Sequence, residues 1–155
     1  MTTELEVGQD APDFSLADAD GTTYSKSDFT GKKVILYFYP KAATPGCTTE
    51  ACDFRDNLSS LANAGFQVLG VSPDEAEALK AFAADEGLTF PLLSDPGAEL
   101  AKTYGSFGEK TVNGKTFEGT LRSTFVIDED GKLSSVEYNV DAEGHVRRLR
   151  EKLGA

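Results

Sequence analysis

Cysteine is scarce in this sequence, with two in 155 residues. That is too few for a secreted scaffold stapled by several disulfides, and it predicts a reducing, cytoplasmic setting. No apolar run approaches the ~20 residues of a membrane helix, so no membrane association is expected. The start, Met1-Thr2-Thr3-Glu4-Leu5-Glu6, has neither the basic opening nor the apolar stretch of a signal peptide. Basic residues are outnumbered, 15 against 26 acidic, for a net charge of -11. With no basic stripe to neutralise phosphates, the sequence predicts no nucleic-acid partner, and the charge reads as a solubility feature. Two cysteines and the single remote His145 cannot supply four zinc ligands, so no metal is expected. Internal repeats, low-complexity tracts and dividing linkers are also missing, which predicts one domain over residues 1–155.

What remains is an ordinary globular composition, 39% hydrophobic and 26% charged. Asp13 to Leu16 and Thr22 to Tyr24 flank Asp-Ala-Asp-Gly and predict an N-terminal hairpin. Val34 to Tyr39 is a continuous apolar and aromatic run, the pattern of a strand covered on both faces. A helix is predicted from Pro45 to Ala62, closing near Asn63 and Gly65. Phe66 to Val71 follows as a strand. Ser72 is expected to cap the next helix, with Pro73 as its first residue and Glu86 near its end. Phe90 to Leu93 predicts a short strand and Gly97 to Tyr104 a short helix. The polar, glycine-rich stretch Gly105 to Gly119 predicts a small hairpin or flap turning at Asn113-Gly114. Thr124 to Ile127 and Lys132 to Tyr138 predict antiparallel strands, and Val146, Leu149 and Leu153 form one stripe of a last helix. Strands alternating with helices indicate an α/β sandwich around a mixed sheet, an order that suits a thioredoxin-like fold.

The chemistry concentrates where the first buried strand turns into a helix. Thr44-Pro45 is a good helix opening, with threonine as cap and proline at the first helical position. Cys47 then falls in the first turn, where unpaired N–H groups and the helix dipole favour a thiolate. The Thr44 hydroxyl is expected either to accept from the Cys47 N–H or to turn toward the sulfur or a substrate. Gly46 leaves a wall open for a small reactant. An ordinary cysteine titrates near 8.5, and bringing one to about 6 needs roughly 3 kcal/mol. A helix terminus supplies about 0.3–1 kcal/mol, so a cation must help, and no histidine lies nearby in sequence.

Cys52 lies five residues beyond Cys47. On an ideal helix their Cα atoms stand roughly 8.5 Å apart, beyond the ~7 Å limit for an unstrained disulfide. The two sulfurs can join only if the first turn or two unwinds. The residues alone leave open buried structural cysteines, a redox-sensitive binding switch and a thioredoxin-type disulfide carrier. The last is disfavoured by the spacing, since the thioredoxin motif separates its cysteines by two residues.

Pro40-x-x-x-Thr44-x-x-Cys47 resembles the active-site motif of peroxiredoxins, thiol peroxidases on a thioredoxin-like fold. Tyr37 to Asp56, Gly8 to Leu16, Val71 to Asp74, Phe90 to Asp95, Gly114 to Thr116 and Arg122 to Asp128 are similar to the bacterioferritin comigratory protein, or peroxiredoxin Q, subgroup. Ala42-Ala43 departs from it, where many relatives carry acidic or polar residues. The resemblance implies that Cys47 attacks the peroxide and that Cys52 resolves the sulfenic acid as an intramolecular disulfide. It supplies the missing cation as Arg122, a residue that would otherwise read as the cap of a strand edge. Pro40, Thr44, Gly46, Cys47 and Arg122 would form the substrate site. Glu50 matches a glutamate that orients such arginines, although an acid early in a helix is also favourable by itself. Tyr39 is expected to line the pocket, or to be an apolar strand position. His145 is expected on the helix surface rather than as a base. Hydrogen peroxide or an alkyl hydroperoxide would be the substrate, thioredoxin or else glutaredoxin the reductant, with no cofactor and a monomeric state.

Overall fold

A computed structural model describes residues 4–112 and 114–155. The chain opens with an antiparallel hairpin, β1 (Ser15–Ala17) and β2 (Thr23–Ser25). Its turn is held by Asp18, whose Oδ1 accepts from the N–H groups of Asp20 and Thr22, each at 2.9 Å. β3 (Lys33–Phe38), β4 (Phe66–Ser72) and β5 (Leu92–Ser94) run parallel. A separate antiparallel hairpin joins β6 (Phe107–Val112) and β7 (Lys115–Thr120). β8 (Ser123–Ile127) and β9 (Leu133–Glu137) then add to the main sheet antiparallel, giving the order β5-β4-β3-β8-β9. The helices are α1 (Pro45–Asp56), α2 (Leu58–Asn63), α3 (Ala76–Glu86), α4 (Glu99–Thr103) and α5 (His145–Leu153). This is the mixed-sheet α/β architecture that the element order predicts. Among the described residues, no helix is long and apolar enough to cross a membrane.

The apolar run of β3 explains the layering. Successive side chains of a strand point to opposite faces, so Ile35, Tyr37 and Tyr39 enter one core and Val34, Leu36 and Phe38 the other. The first core is filled by Cys47, Ala51 and Phe54 of α1, Leu61 of α2, Leu79 and Phe82 of α3, and Val146 and Leu149 of α5. The second takes Phe14, Leu100 and Ala101 of α4, Tyr104 and Phe125. Phe54 stacks on Tyr37 with ring centroids 4.5 Å apart and meets Phe90 edge-on. Each such aromatic pair adds about 0.5–1.5 kcal/mol beyond its buried area. The middle of α1 is therefore anchored, and its first turn is the part with Pro45 and Gly46.

The largest changes from expectation are in two helices. The single helix over 45–62 is interrupted at Asn57, whose Nδ2 donates to the Asp53 carbonyl at 2.7 Å while Arg150 donates to its Oδ1. An asparagine side chain that takes a backbone carbonyl of the preceding turn competes with helix propagation. Ser72 does not cap α3. It remains in β4 opposite Ser94, its carbonyl accepts from the Asp95 N–H at 2.8 Å, and its hydroxyl donates to Asp74 Oδ2 at 2.8 Å. The helix starts only at Ala76, with Glu75 as the flanking residue. The β6–β7 hairpin forms as expected from its glycines, while Asn113 of the expected turn lies outside the described residues.

Candidate active site

Sheet register brings the site together. Phe38 of β3 pairs with Ser123 of β8, so the residue before β8, Arg122, lies alongside the chain that leaves β3 toward α1. The Val140 N–H donates to the Arg122 carbonyl at 2.8 Å and pins that backbone. On the other side, the Ala42 N–H donates to Asp74 Oδ2 at 2.7 Å and fixes the loop between β3 and α1. Thr44 flanks the helix in an extended conformation, Pro45 is its first residue, and Cys47 is the third.

The Cys47 sulfur is buried, 1% exposed, and accepts from Arg122 Nη2 at 3.2 Å. The other terminal nitrogen, Nη1, donates to Glu50 Oε1 at 2.7 Å. One planar guanidinium thus spans the thiol and a fully buried carboxyl, a fork that an ammonium could not reproduce. Gly46 leaves room for this approach: a Cβ there would sit 3.1 Å from Arg122 Nη2, closer than ordinary packing. Burial pushes Glu50 up to about 7, against the lowering effect of Arg122. Its Oε2 has no hydrogen-bond partner among the described residues.

Thr44 differs from expectation. Its hydroxyl makes no cap bond to the helix and instead donates to the Lys41 carbonyl at 2.8 Å. Ala43, just before it, is left-handed (φ 64), and this tight corner points the hydroxyl back at the loop. The Cys47 N–H is thereby left free of that side chain. Pro40 and Arg122 line a cavity of 390 Å³ together with Lys110, Leu121, Asn139 and Val140. A larger cavity of 490 Å³ lies at the far end of β3, against Val34 and Ile127, away from both cysteines. Tyr39 does not line the cavity by Arg122. It is buried in the core with Cys47 and stacks on Tyr37 at 5.4 Å, and burial raises its phenol well above the ordinary range.

Cys52 lies further along α1, half-buried, and both thiols are free. Its thiol donates to Glu86 Oε2 of α3 at 3.4 Å. Burial and that hydrogen bond both raise its titration point. The intact helix thus holds the two sulfurs on one element without joining them.

His145 is not on the surface. It is 1% exposed at the start of α5, with Nε2 2.9 Å from the Thr124 hydroxyl and 4.0 Å from Glu50 Oε2, and Nδ1 3.6 Å from Glu137 Oε2. Burial pushes it down to about 4, so it is neutral at pH 7. The signal was present in the sequence, since His145 continues the stripe of Val146, Leu149 and Leu153 toward the helix start.

Residues 7–136 match the AhpC/TSA family. The chain belongs to the AhpC/TSA family. It is 55% identical over 152 residues to a candidate peroxiredoxin of Mycobacterium tuberculosis, covering 98% of this chain and 97% of the other. It is 47% identical over 141 residues to peroxiredoxin Bcp of Escherichia coli K12, covering 91% and 90%. The bacterioferritin comigratory protein of Xanthomonas campestris, solved in a study of its alkyl peroxide reduction activity, superposes with a TM-score of 0.87 at 33% identity, over 96% of this chain and 98% of that one. Within this AhpC/TSA chain, sequence reasoning missed Lys110 as a second cation near the thiol. Burial lowers its ammonium and the nearby sulfur raises it, while its Nζ donates to the Thr120 carbonyl at 3.1 Å. No local signal marks it, because β6 reads as a polar surface hairpin.

Proposed function

We propose that the chain is a thiol peroxidase that reduces hydrogen peroxide and organic hydroperoxides through Cys47, with Cys52 as the resolving thiol. The observation that carries this reading is the Cys47 sulfur in the first turn of α1, 3.2 Å from the Arg122 guanidinium. The thiolate attacks one peroxide oxygen in line; the S–O bond forms as the O–O bond breaks, and the departing alkoxide or hydroxide takes up a proton. Negative charge moves from sulfur to the departing oxygen, so donors that reach both atoms bind the transition state more strongly than the ground state. Arg122 Nη2 and the Cys47 N–H are those donors. The Thr44 donor is already committed to Lys41, so toward a peroxide this hydroxyl serves as an acceptor. The cavity beside Arg122 offers an organic substituent a seat of mixed character, with Pro40, Leu121 and Val140 as its apolar walls and Glu109, Lys110, Thr111 and Asn139 as its polar ones. The alkyl peroxide reduction studied in the Xanthomonas protein supports the same substrate class here.

Cys47 becomes a sulfenic acid, the first step of the cysteine oxidation ladder. The first turns of α1 unwind, Cys52 attacks, the disulfide forms and the sulfenic oxygen leaves as water. A dithiol protein such as thioredoxin, or glutaredoxin, returns two electrons and two protons by exchange. We place this monomeric, single-domain enzyme in the cytoplasm. A coupled assay with thioredoxin, thioredoxin reductase and NADPH tests the cycle. Cys47→Ser should abolish turnover, and Cys52→Ser should form the sulfenic acid at the native rate yet fail to recycle. Full recycling by Cys52→Ser would remove it from the mechanism. Intact mass after one equivalent of peroxide should fall by two hydrogens rather than gain a persistent oxygen.

A further inference from the structure

Glu50 is fully buried, sits between the two cysteines on α1, and leaves Oε2 without a hydrogen-bond partner among the described residues. The polar group facing that oxygen is His145 of α5, at 4.0 Å. His145 is itself held firmly: Thr124 of β8 bonds its Nε2, Glu137 of β9 approaches its Nδ1, and Phe54 of α1 meets its ring edge-on at 6.3 Å. The imidazole is thus a fixed polar wall on the far side of the Glu50 carboxyl from Arg122. We propose that His145 is a positioning residue of this site: it docks the Glu50 carboxyl so that α1 stays wound over Cys47, and disulfide formation undocks that carboxyl and releases its proton.

The inference rests on the reading of Cys52 as the resolving thiol. Joining Cys47 to Cys52 requires the turns between them to unwind, and Glu50 lies within those turns. Unwinding carries the carboxyl from a closed pocket into water. The charged and titratable groups around it are Cys47 and Asp53 on its own helix, Tyr37 on β3 and Tyr39 just after it, Arg122 before β8, and His145 on α5. His145 in turn faces Glu137, Arg122, Arg148 and Lys152. Arg122 alone favours the ionised carboxyl, and burial outweighs it, so the docked group holds a proton up to about pH 7. His145, neutral above about pH 4, stands 4.0 Å from Oε2 and brings no second positive charge that would ionise Glu50. A group whose titration point is raised in the wound state stabilises that state at low pH, and this contribution is lost as pH rises toward 7. Acid therefore latches α1 shut; neutral and alkaline pH ease its opening.

The balance is explicit. Reduction of the disulfide takes two electrons, one proton for each sulfur that ends as a thiol, and a further proton when Glu50 re-docks. Equilibrating the native protein and Glu50→Gln with the same dithiothreitol couple, and taking the ratio of the two constants, cancels the sulfur protons that the two proteins share. The equilibrium constant for protein reduction, divided by that of Glu50→Gln, should rise about 100-fold from pH 7.5 to pH 4.5. His145→Gln, which keeps a polar group at the Nε2 position, should retain the native break in this profile. His145→Leu should move it to higher pH. Should Glu50→Gln fail to fold, the reduced-minus-oxidised infrared difference spectrum of the native protein near pH 6 carries the test. It should show a protonated carboxyl lost on oxidation. A pH-independent ratio, or no carboxyl change in the spectrum, overturns the latch. A native protein whose mass never falls by two hydrogens defeats the resolving reading and the latch with it, whereas a disulfide that forms without proton linkage overturns the latch alone.

Discussion

Replacing Arg122 by methionine tests the site most directly, because a single side chain holds both the sulfur and Glu50. Arg122→Met keeps much of the apolar stem and removes two contacts, Nη2 to Cys47 at 3.2 Å and Nη1 to Glu50 at 2.7 Å. The first is a charge-assisted donor aimed at developing charge, and losing one such donor costs about 2.7–4 kcal/mol, or 10²–10³ in rate. The second exposes the fold to an uncompensated buried carboxylate, worth about 3–5 kcal/mol if the charge stays. It need not stay, since Glu50 already titrates at about 7 and takes a proton once Arg122 is gone. The fold penalty should therefore be small near pH 6 and grow as pH rises, because the raised carboxyl stabilises the wound state only while protonated. Arg122→Lys separates charge from geometry: one ammonium cannot serve both partners, and a loss of about 10-fold is expected. The chain has no tryptophan, so single-turnover quench-flow with mass detection of the sulfenic acid is the suitable assay. An Arg122→Met rate within about 3-fold of native would refute the electrostatic argument.

Two glycines give opposite outcomes. In Gly46→Ala the new Cβ meets Arg122 Nη2 at 3.1 Å and pushes the guanidinium off the sulfur, while alanine helps the helix by up to about 1 kcal/mol. Peroxide attack should slow about 10-fold with an unchanged or higher melting temperature, and native kinetics would show that the approach is not required. In Gly70→Ala the Cβ lies 3.1 Å from Leu92 Cδ2 and from two ring atoms of Tyr37, inside the core under α1. Overpacking of this kind costs about 1–3 kcal/mol, read as a lowered melting temperature at about 2–4 °C per kcal/mol. A melting temperature equal to native would mean that Tyr37 has room to move.

The architecture was legible because it follows from patterns local to the chain. A continuous apolar run gave β3, Thr44-Pro45 marked the start of α1, and alternation of strand and helix gave the mixed sheet. The misreadings have one cause, which is that side chains with several hydrogen-bonding options choose partners by tertiary position. Ser72 chose the strand ladder and Asp74 over a helix cap. Thr44 chose the Lys41 carbonyl because the left-handed Ala43 turned it there. Asn57 broke a helix in company with Arg150, 93 residues away in sequence. At the site, Cys47 was readable from its position, and the need for a cation from energetics. Arg122 itself came from family resemblance, because a separation of 75 residues leaves no local trace. The burial of His145 and the placement of Lys110 depend on how α5 and the β6–β7 hairpin pack.

The contact between Cys52 and Glu86 sets an order of events. A carboxylate on a neighbouring helix keeps the second thiol muzzled while α1 is wound, so an arriving oxidant meets one competent nucleophile rather than two. If Cys52 resolves the sulfenic acid as proposed, it must peel away from α3 and shed that acid before it attacks. On the proposed mechanism, the timing is thus written into what each sulfur leans on, Arg122 beside β8 for Cys47 and Glu86 of α3 for Cys52.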